Sequence, residues 1–159
     1  METVSFLATT QIVEVISAFH DALKAHKESI NRLNVYPVPD GDTGTNMFLT
    51  VASVLEEMEA VEFDDREAVC AALSHGSLMG ARGNSGVILS QVLRGMSGCF
   101  AKADEINGDV LARALTEASI AADGAVMKPV EGTILTVVRE VARAARDAAA
   151  VSAILQVVE

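Results

Sequence analysis

The stretch Leu33-Asn34-Val35-Tyr36-Pro37-Val38-Pro39-Asp40-Gly41-Asp42-Thr43-Gly44-Thr45-Asn46 decides how this chain is read. Pro37 and Pro39 fix their own φ, lack an N–H donor and push the residues before them out of helical geometry, so the segment is a stiff loop. Upstream, Ile12, Val15, Ile16, Phe19, Ala22, Leu23 and Ile30 recur at helical spacing, which predicts a helix over residues 10–33. Downstream, Met47, Leu49, Val51, Val54, Leu55 and Met58 predict a second helix that begins near residues 43–45 and runs to about 60. Within the loop, Asp40 and Asp42 flank Gly41. Hard divalent cations need clustered oxygen ligands, and a helix start offers backbone N–H groups to an anion. The stretch therefore predicts metal and phosphate held side by side, the arrangement that nucleotide chemistry uses.

The same helical period continues outward. Phe63-Asp64-Asp65 breaks it, with Asp64 or Asp65 as N-cap, and a third helix is expected over 66–79. Gly80-Ala81-Arg82-Gly83-Asn84-Ser85-Gly86 reads as a second glycine-rich loop, followed by a helix over 87–101. Asn107-Gly108-Asp109 caps a fifth helix over 110–126. Met127-Lys128-Pro129-Val130-Glu131-Gly132-Thr133 forms the third loop before a helix over 134–150, and residues 151–159 read as the start of one more helix. The expected fold is all-α: a single domain over 1–159, built as an up-down antiparallel helical bundle or barrel of six to seven helices. The three loops precede the second, fourth and sixth helices. In an up-down bundle those entrances share one end, where partial positive charge accumulates.

Composition narrows the function classes. Half of the 159 residues are apolar but only 4% are aromatic, a balance that favours packed helices over a β-sandwich. The formal charge of −10 disfavours nucleic-acid binding, which rests on a basic patch. An acidic protein that holds ATP has to neutralise the phosphates locally, which again points to divalent cations. No apolar run approaches the roughly 18 residues of a membrane span, and the N-terminus from Met1 to Phe6 lacks the basic start of a signal peptide. Cys70 and Cys99 have no metal-ligand spacing and read as buried thiols of a reducing cytoplasm. His20, His26 and His75 likewise show no metal spacing, and no Ser/His/Asp set suggests nucleophilic hydrolysis.

Residues 33–47 resemble the nucleotide loop of the dihydroxyacetone kinase L-domain (DhaL-like) family, in the branch found at the N-terminus of bacterial fatty acid kinase A. Gly80-Ala81-Arg82-Gly83-Asn84-Ser85-Gly86-Val87-Ile88-Leu89-Ser90-Gln91 and Glu131-Gly132-Thr133-Ile134-Leu135-Thr136-Val137 are similar to that branch in order and spacing, so the resemblance covers about 10–150. It implies a barrel of amphipathic helices with ATP held at one end by two Mg²⁺ ions. It also implies a phosphoryl acceptor presented by a separate protein: a fatty acid carboxylate on a lipid-binding partner, or dihydroxyacetone on another subunit. Dihydroxyacetone kinases carry a further aspartate upstream in the metal loop, whereas the nearest candidate here is Asn34, whose carbonyl adds a neutral oxygen ligand. The family pattern continues past residue 159, so the bundle is expected to lack its last helix. That would expose an apolar flank, which a second copy would cover as a homodimer.

Several residues are singled out on this basis. Asp40 and Asp42 are the expected catalytic carboxylates and, with Asn34, the expected metal ligands; the plainer alternative is a solvated Asp-Gly-Asp turn that caps the next helix. Thr43, Thr45 and Asn46 are expected to contact nucleotide or phosphate, or to cap. Gly83, Asn84, Ser85 and Gly86 offer donors for phosphate oxygens, with an ordinary turn as the alternative. Thr133 and Ile134 match the family's ribose- and adenine-side contacts, against a core or capping role. Arg82 is equally placed to balance phosphate charge or to form a surface ion pair, and Lys128 reads as solvated. Besides the kinase reading stand a non-catalytic nucleotide-binding module and a metal-dependent phosphatase or pyrophosphatase.

Overall fold

The structure is a computed structural model that describes residues 6–158, with side chains over 6–150. The N-terminal residues 1–5, on which the signal-peptide reading falls, lie outside the described residues, as does Glu159. The described residues form six helices: α1 (Thr9–Leu33), α2 (Thr43–Met58), α3 (Arg66–Met79), α4 (Gly83–Phe100), α5 (Gly108–Gly124) and α6 (Ile134–Val158). No strand occurs among the described residues beyond a single antiparallel bridge, in which Leu7 N donates to Ile106 O at 2.8 Å. Consecutive helices pack on one another, and α2 also packs on α4. α6 lies on α5 and grazes α4, while α1 lies on α2 and grazes α3; among the described residues α1 and α6 do not meet. The bundle is therefore open along one side, with Ile120, Val137 and Val141 exposed on α5 and α6.

Most elements stand where periodicity places them, and three boundaries differ. α4 begins at Gly83, not Val87, so Gly83-Asn84-Ser85-Gly86 is the first helical turn and the loop proper is only residues 80–82. Gly83 enters at φ +57°, and a Cβ there would fall 2.3 Å from Asn46 Nδ2, so both backbone and space require glycine. The second difference is at the C-terminal end. Residues 151–158 do not open a seventh helix but continue α6 without a break. From Ile134 onward the chain carries no Gly or Pro and is rich in Ala, so nothing stops helix propagation. α5 also ends at Gly124, two residues short of the expected limit.

α2 is the central element. Val51 and Val54 are fully buried and Met58 nearly so, packed with Ile12 and Ile16 of α1, Val69 and Leu73 of α3, and Leu89 and Leu93 of α4. Close packing is possible because small residues face one another across the crossings. A Cβ on Gly76 would lie 2.8 Å from Val54 Cα, and one on Gly95 2.7 Å from Ala118 Cα. The buried hydroxyls need no outside partner. Ser77 donates to Ser74 O at 3.0 Å, Ser90 to Val87 O at 2.8 Å and Ser97 to Arg94 O at 3.1 Å.

Candidate functional site

The entrances of α2 and α4 meet at one end of the bundle. Ser85 Oγ donates to Thr43 O at 3.5 Å, and Arg82 N donates to Thr50 Oγ1 at 3.3 Å. Thr50 in turn donates to Asn46 O at 2.8 Å. Gly86 is buried against this hydroxyl, where a Cβ would come within 2.5 Å of Thr50 Oγ1. Thr50 was not among the residues singled out by sequence, yet it ties the second loop to α2. Of the expected site residues, Asn34, Asp40, Asp42, Thr43, Thr45 and Asn46 surround the first entrance, and Gly83, Asn84, Ser85 and Gly86 adjoin it from the second.

The first entrance is built in an unusual way. Asp42 occupies the N-cap position of α2 (φ −123°, ψ 0°), but its carboxylate accepts no hydrogen bond from the helix. The first-turn donors go elsewhere: Gly44 N and Thr45 N donate to Asn31 Oδ1 at 2.8 and 3.1 Å, and Asn31 Nδ2 donates to Thr45 Oγ1 at 2.9 Å. Asn31 sits in the last turn of α1, so one helix caps its neighbour. Sequence reading missed Asn31, since its partner Gly44 lies 13 residues away and neither position carries a periodic signal. Asp40 is exposed and Asp42 half-buried. Asn34 Nδ2 donates to Asp40 Oδ1 in a short contact, which leaves the Asn34 carbonyl oxygen unused. Gly41, between the two aspartates, turns at φ +66°, a conformation that glycine adopts freely.

The second entrance has donors to spare. The N-cap of α4, Arg82, offers no side-chain cap, and the first acceptor bond is Gly86 N to Arg82 O at 2.9 Å. Among the described residues, the N–H groups of Asn84 and Ser85 thus face the end of the helix without an acceptor, as helix starts generally do. Asn46 Nδ2 is buried and has no hydrogen-bond partner among the described residues. What these groups lack is an acceptor oxygen. No group of three or more His, Cys, Asp or Glu side chains suited to a metal occurs among the described residues. A cation at this end would therefore rest on two carboxylates and neutral oxygens, the sparse protein set that suits Mg²⁺ with phosphate and water.

The third loop shares the end of the bundle by topology but stands apart. Thr133 Oγ1 donates to Val130 O at 2.7 Å and accepts from Leu135 N at 3.3 Å, so it caps α6. Arg139 bridges Asp123 at 3.1 Å and Glu131 in a short contact, while Thr136 Oγ1 donates to Glu131 at 2.8 Å. The Arg139 guanidinium, aided by Thr136, holds the Glu131 carboxyl below the usual carboxylate range. No hydrogen bond joins Thr133 or Ile134 to the other two loops among the described residues. Arg82 turns back onto its own loop, donating to Ala81 O at 3.2 Å.

A groove lies away from these loops. It has a volume of about 970 Å³ and runs between the distal half of α4, α5 from Asp109 to Ala121, and α6 from Arg146 to Ala150, past Arg94, Cys99 and Arg113. It shares no residue with the three entrances, so its size carries no weight against the clustering of carboxylates and free donors at the other end.

Comparison with known proteins agrees with this architecture. A family model described as DAK2 domain matches residues 37–159. The chain is 52% identical over 132 residues to protein YloV of Bacillus subtilis (strain 168), covering 83% of this chain and 24% of that protein. It is 50% identical over 123 residues to uncharacterized proteins of Staphylococcus aureus strains USA300 and NCTC 8325 / PS 47, covering 77% of this chain and 22% of each. The chain thus spans about a quarter of the length of these relatives.

Proposed function

The chain belongs to the DAK2 domain family, a family associated with kinases, and from that premise we propose that it is a Mg²⁺-dependent, ATP-binding phosphoryl-transfer domain that donates the γ-phosphate to an acceptor held by a separate protein. One observation carries the reading: the Asp42 carboxylate is free at a position where an aspartate ordinarily caps its helix. The reading is supported by the capping of α2, which Asn31 performs in place of Asp42. A free carboxylate beside the Asn34–Asp40 pair, at the positive ends of α2 and α4, fits a hard cation that also binds phosphate.

Asp40, Asp42 and the Asn34 carbonyl are the residues that would hold Mg²⁺, and the metal would supply charge neutralisation along the triphosphate. The chain's own contribution is binding and orientation. The N–H groups of Asn84 and Ser85 and the Ser85 hydroxyl bind phosphate oxygens at the start of α4, and Thr43 and Asn46 line the opposite wall. Gly83 and Gly86 let the two entrances approach closely enough to share one ligand. Thr45 supports this wall through Asn31, and Thr133 and Ile134 serve the nucleoside side from α6.

The same end exposes Leu33, Val35, Tyr36 and Val38 in the first loop, and Leu78 and Met79 beside the second. An apolar rim of this kind suits a docking protein that brings the acceptor. A fatty acid carboxylate on a lipid-binding protein is the acceptor favoured here, and it needs no general base; dihydroxyacetone is the alternative. The two free cysteines fit a cytoplasmic setting, and no helix among the described residues is long and apolar enough to cross a membrane.

Calorimetry with ATP and Mg²⁺ tests the reading. Asp40→Ala and Asp42→Ala are each expected to abolish Mg²⁺-dependent ATP binding while circular dichroism shows unchanged helicity. Undiminished affinity in both variants refutes the metal role. ATP binding by the wild type without transfer to any carrier-bound acid would instead favour a nucleotide-binding module.

A further inference from the structure

We propose that Asn31 is a positioning residue that keeps the Asp42 carboxylate available to a cation by occupying the two backbone donors that Asp42 would otherwise claim. The inference rests on the Mg²⁺ reading above. An N-cap Asp or Asn turns its side-chain oxygen onto the N–H of the second or third helical residue. The chain itself supplies two controls. Asp65 accepts from Ala68 N at 3.0 Å at the start of α3, and Asn107 accepts from Val110 N at 3.0 Å at the start of α5. Asp42 likewise directly precedes its helix, with ψ 0° where the two controls are extended, and the second and third residues of α2 are Gly44 and Thr45. Both of those donors are already bound to Asn31 Oδ1. An amide oxygen has two lone pairs, and here both are used.

The rest of the arrangement serves this contact. Asn31 Nδ2 donates to Thr45 Oγ1, which fixes which way the amide faces. Asn31 lies one turn after Lys27 on α1, and Gly44 packs against the Lys27 backbone so closely that a Cβ would meet Lys27 O at 2.3 Å. Only that approach brings the α2 donors within reach of a side chain from α1. The Asn31 amide oxygen supplies the acceptor that the start of α2 needs. Without it, the Asp42 carboxylate turns inward to cap α2 and has to surrender those bonds before it can bind metal.

The test is Mg²⁺ titration of the wild type, Asn31→Ala and Asn31→Asp, followed by ¹⁵N amide shifts in the absence of nucleotide and repeated with ATP. Asn31→Ala is expected to bind Mg²⁺ about tenfold more weakly, equivalent to about 1.4 kcal/mol and within the range of one N-cap. Its structure should show Asp42 on Gly44 N and Thr45 N. Asn31→Asp keeps an acceptor for both donors and should stay within about twofold of the wild type, a rescue that general destabilisation would not produce. Wild-type affinity in Asn31→Ala overturns the positioning role alone, as does an equal loss in both variants. If Asn31→Ala does not fold, Asn31→Asp decides: retained binding supports the role and a tenfold loss overturns it. A wild type that binds no Mg²⁺, with or without ATP, overturns the functional reading and this inference together.

Discussion

Gly44→Ala tests the coupling between packing and site most directly. A Cβ at residue 44 would lie 2.3 Å from Lys27 O, 2.8 Å from Lys27 Cα and 2.9 Å from Lys27 C. All three are backbone atoms of a 25-residue helix, so no side chain can swing aside. Relief requires α2 to move away from α1 by about 1 Å, given an optimal carbon contact of roughly 3.5 Å or more. Overpacking of this kind costs about 1–3 kcal/mol. Retreat of α2 also stretches the bonds from Gly44 N and Thr45 N to Asn31, adding about 1 kcal/mol for the lost cap. Better helix propensity of Ala returns about 1 kcal/mol. The net expectation is a loss of about 1–3 kcal/mol, which lowers Tm by roughly 2–4 °C per kcal/mol in a domain of this size. Gly98→Ala in α4 is the matched control, because nothing lies within 4 Å of its Cβ position. It should stabilise by about 0.5–1 kcal/mol. Urea denaturation of both variants measures the difference. A neutral or stabilising Gly44→Ala, with Gly98→Ala behaving as stated, would refute the close α1–α2 contact.

Three further outcomes follow from local geometry. Burial pushes the Cys70 thiol up to about 11, partly opposed by Arg66, so the native state favours the protonated form. Stability from this group is complete below its ordinary 9.0 and is lost as pH rises toward about 11, and at pH 8 Cys70 should react with a disulfide reagent far more slowly than Cys99, which is less buried. Asp65→Ala removes the acceptor for Ala68 N and should cost about 1 kcal/mol in urea denaturation. Because Glu131 titrates below the usual range in the folded state, its tether to Arg139 and Thr136 holds at neutral pH and is lost as pH falls through that lowered value. Amide protection factors at residues 130–133, taken relative to the intrinsic exchange rate at each pH, should fall on acidification in the wild type and already be low at neutral pH in Arg139→Ala.

The helices were legible because apolar residues recur at the helical period over long segments. Ile12, Ile16 and Leu23 in α1 and Val51, Val54 and Met58 in α2 are all buried as that period requires. Asp65 and Asn107 cap as their positions suggest, since an Asx side chain reaches donors two or three residues on. The start of α4 was misread because glycines signal turns, whereas Gly83 and Gly86 are here for space: Asn46 and Thr50 occupy the volumes that their side chains would need. The expected boundary near residue 150 carries no Gly or Pro, and nothing there interrupts hydrogen bonding along α6.

The sequence alone determined the helix count to within one, the shared end of the first two loops, and the pairing of two aspartates around a glycine. These are properties of spacing, and spacing survives without knowledge of neighbours. Only the tertiary structure decided which carboxylate is free. That outcome depends on Asn31 of α1 reaching Gly44 and Thr45 of α2, and on a glycine at residue 44 that lets two backbones touch. Hydrogen bonds are settled by whichever acceptor is nearest in space, so the role of Asp42 could be read only once α1 was in place beside it.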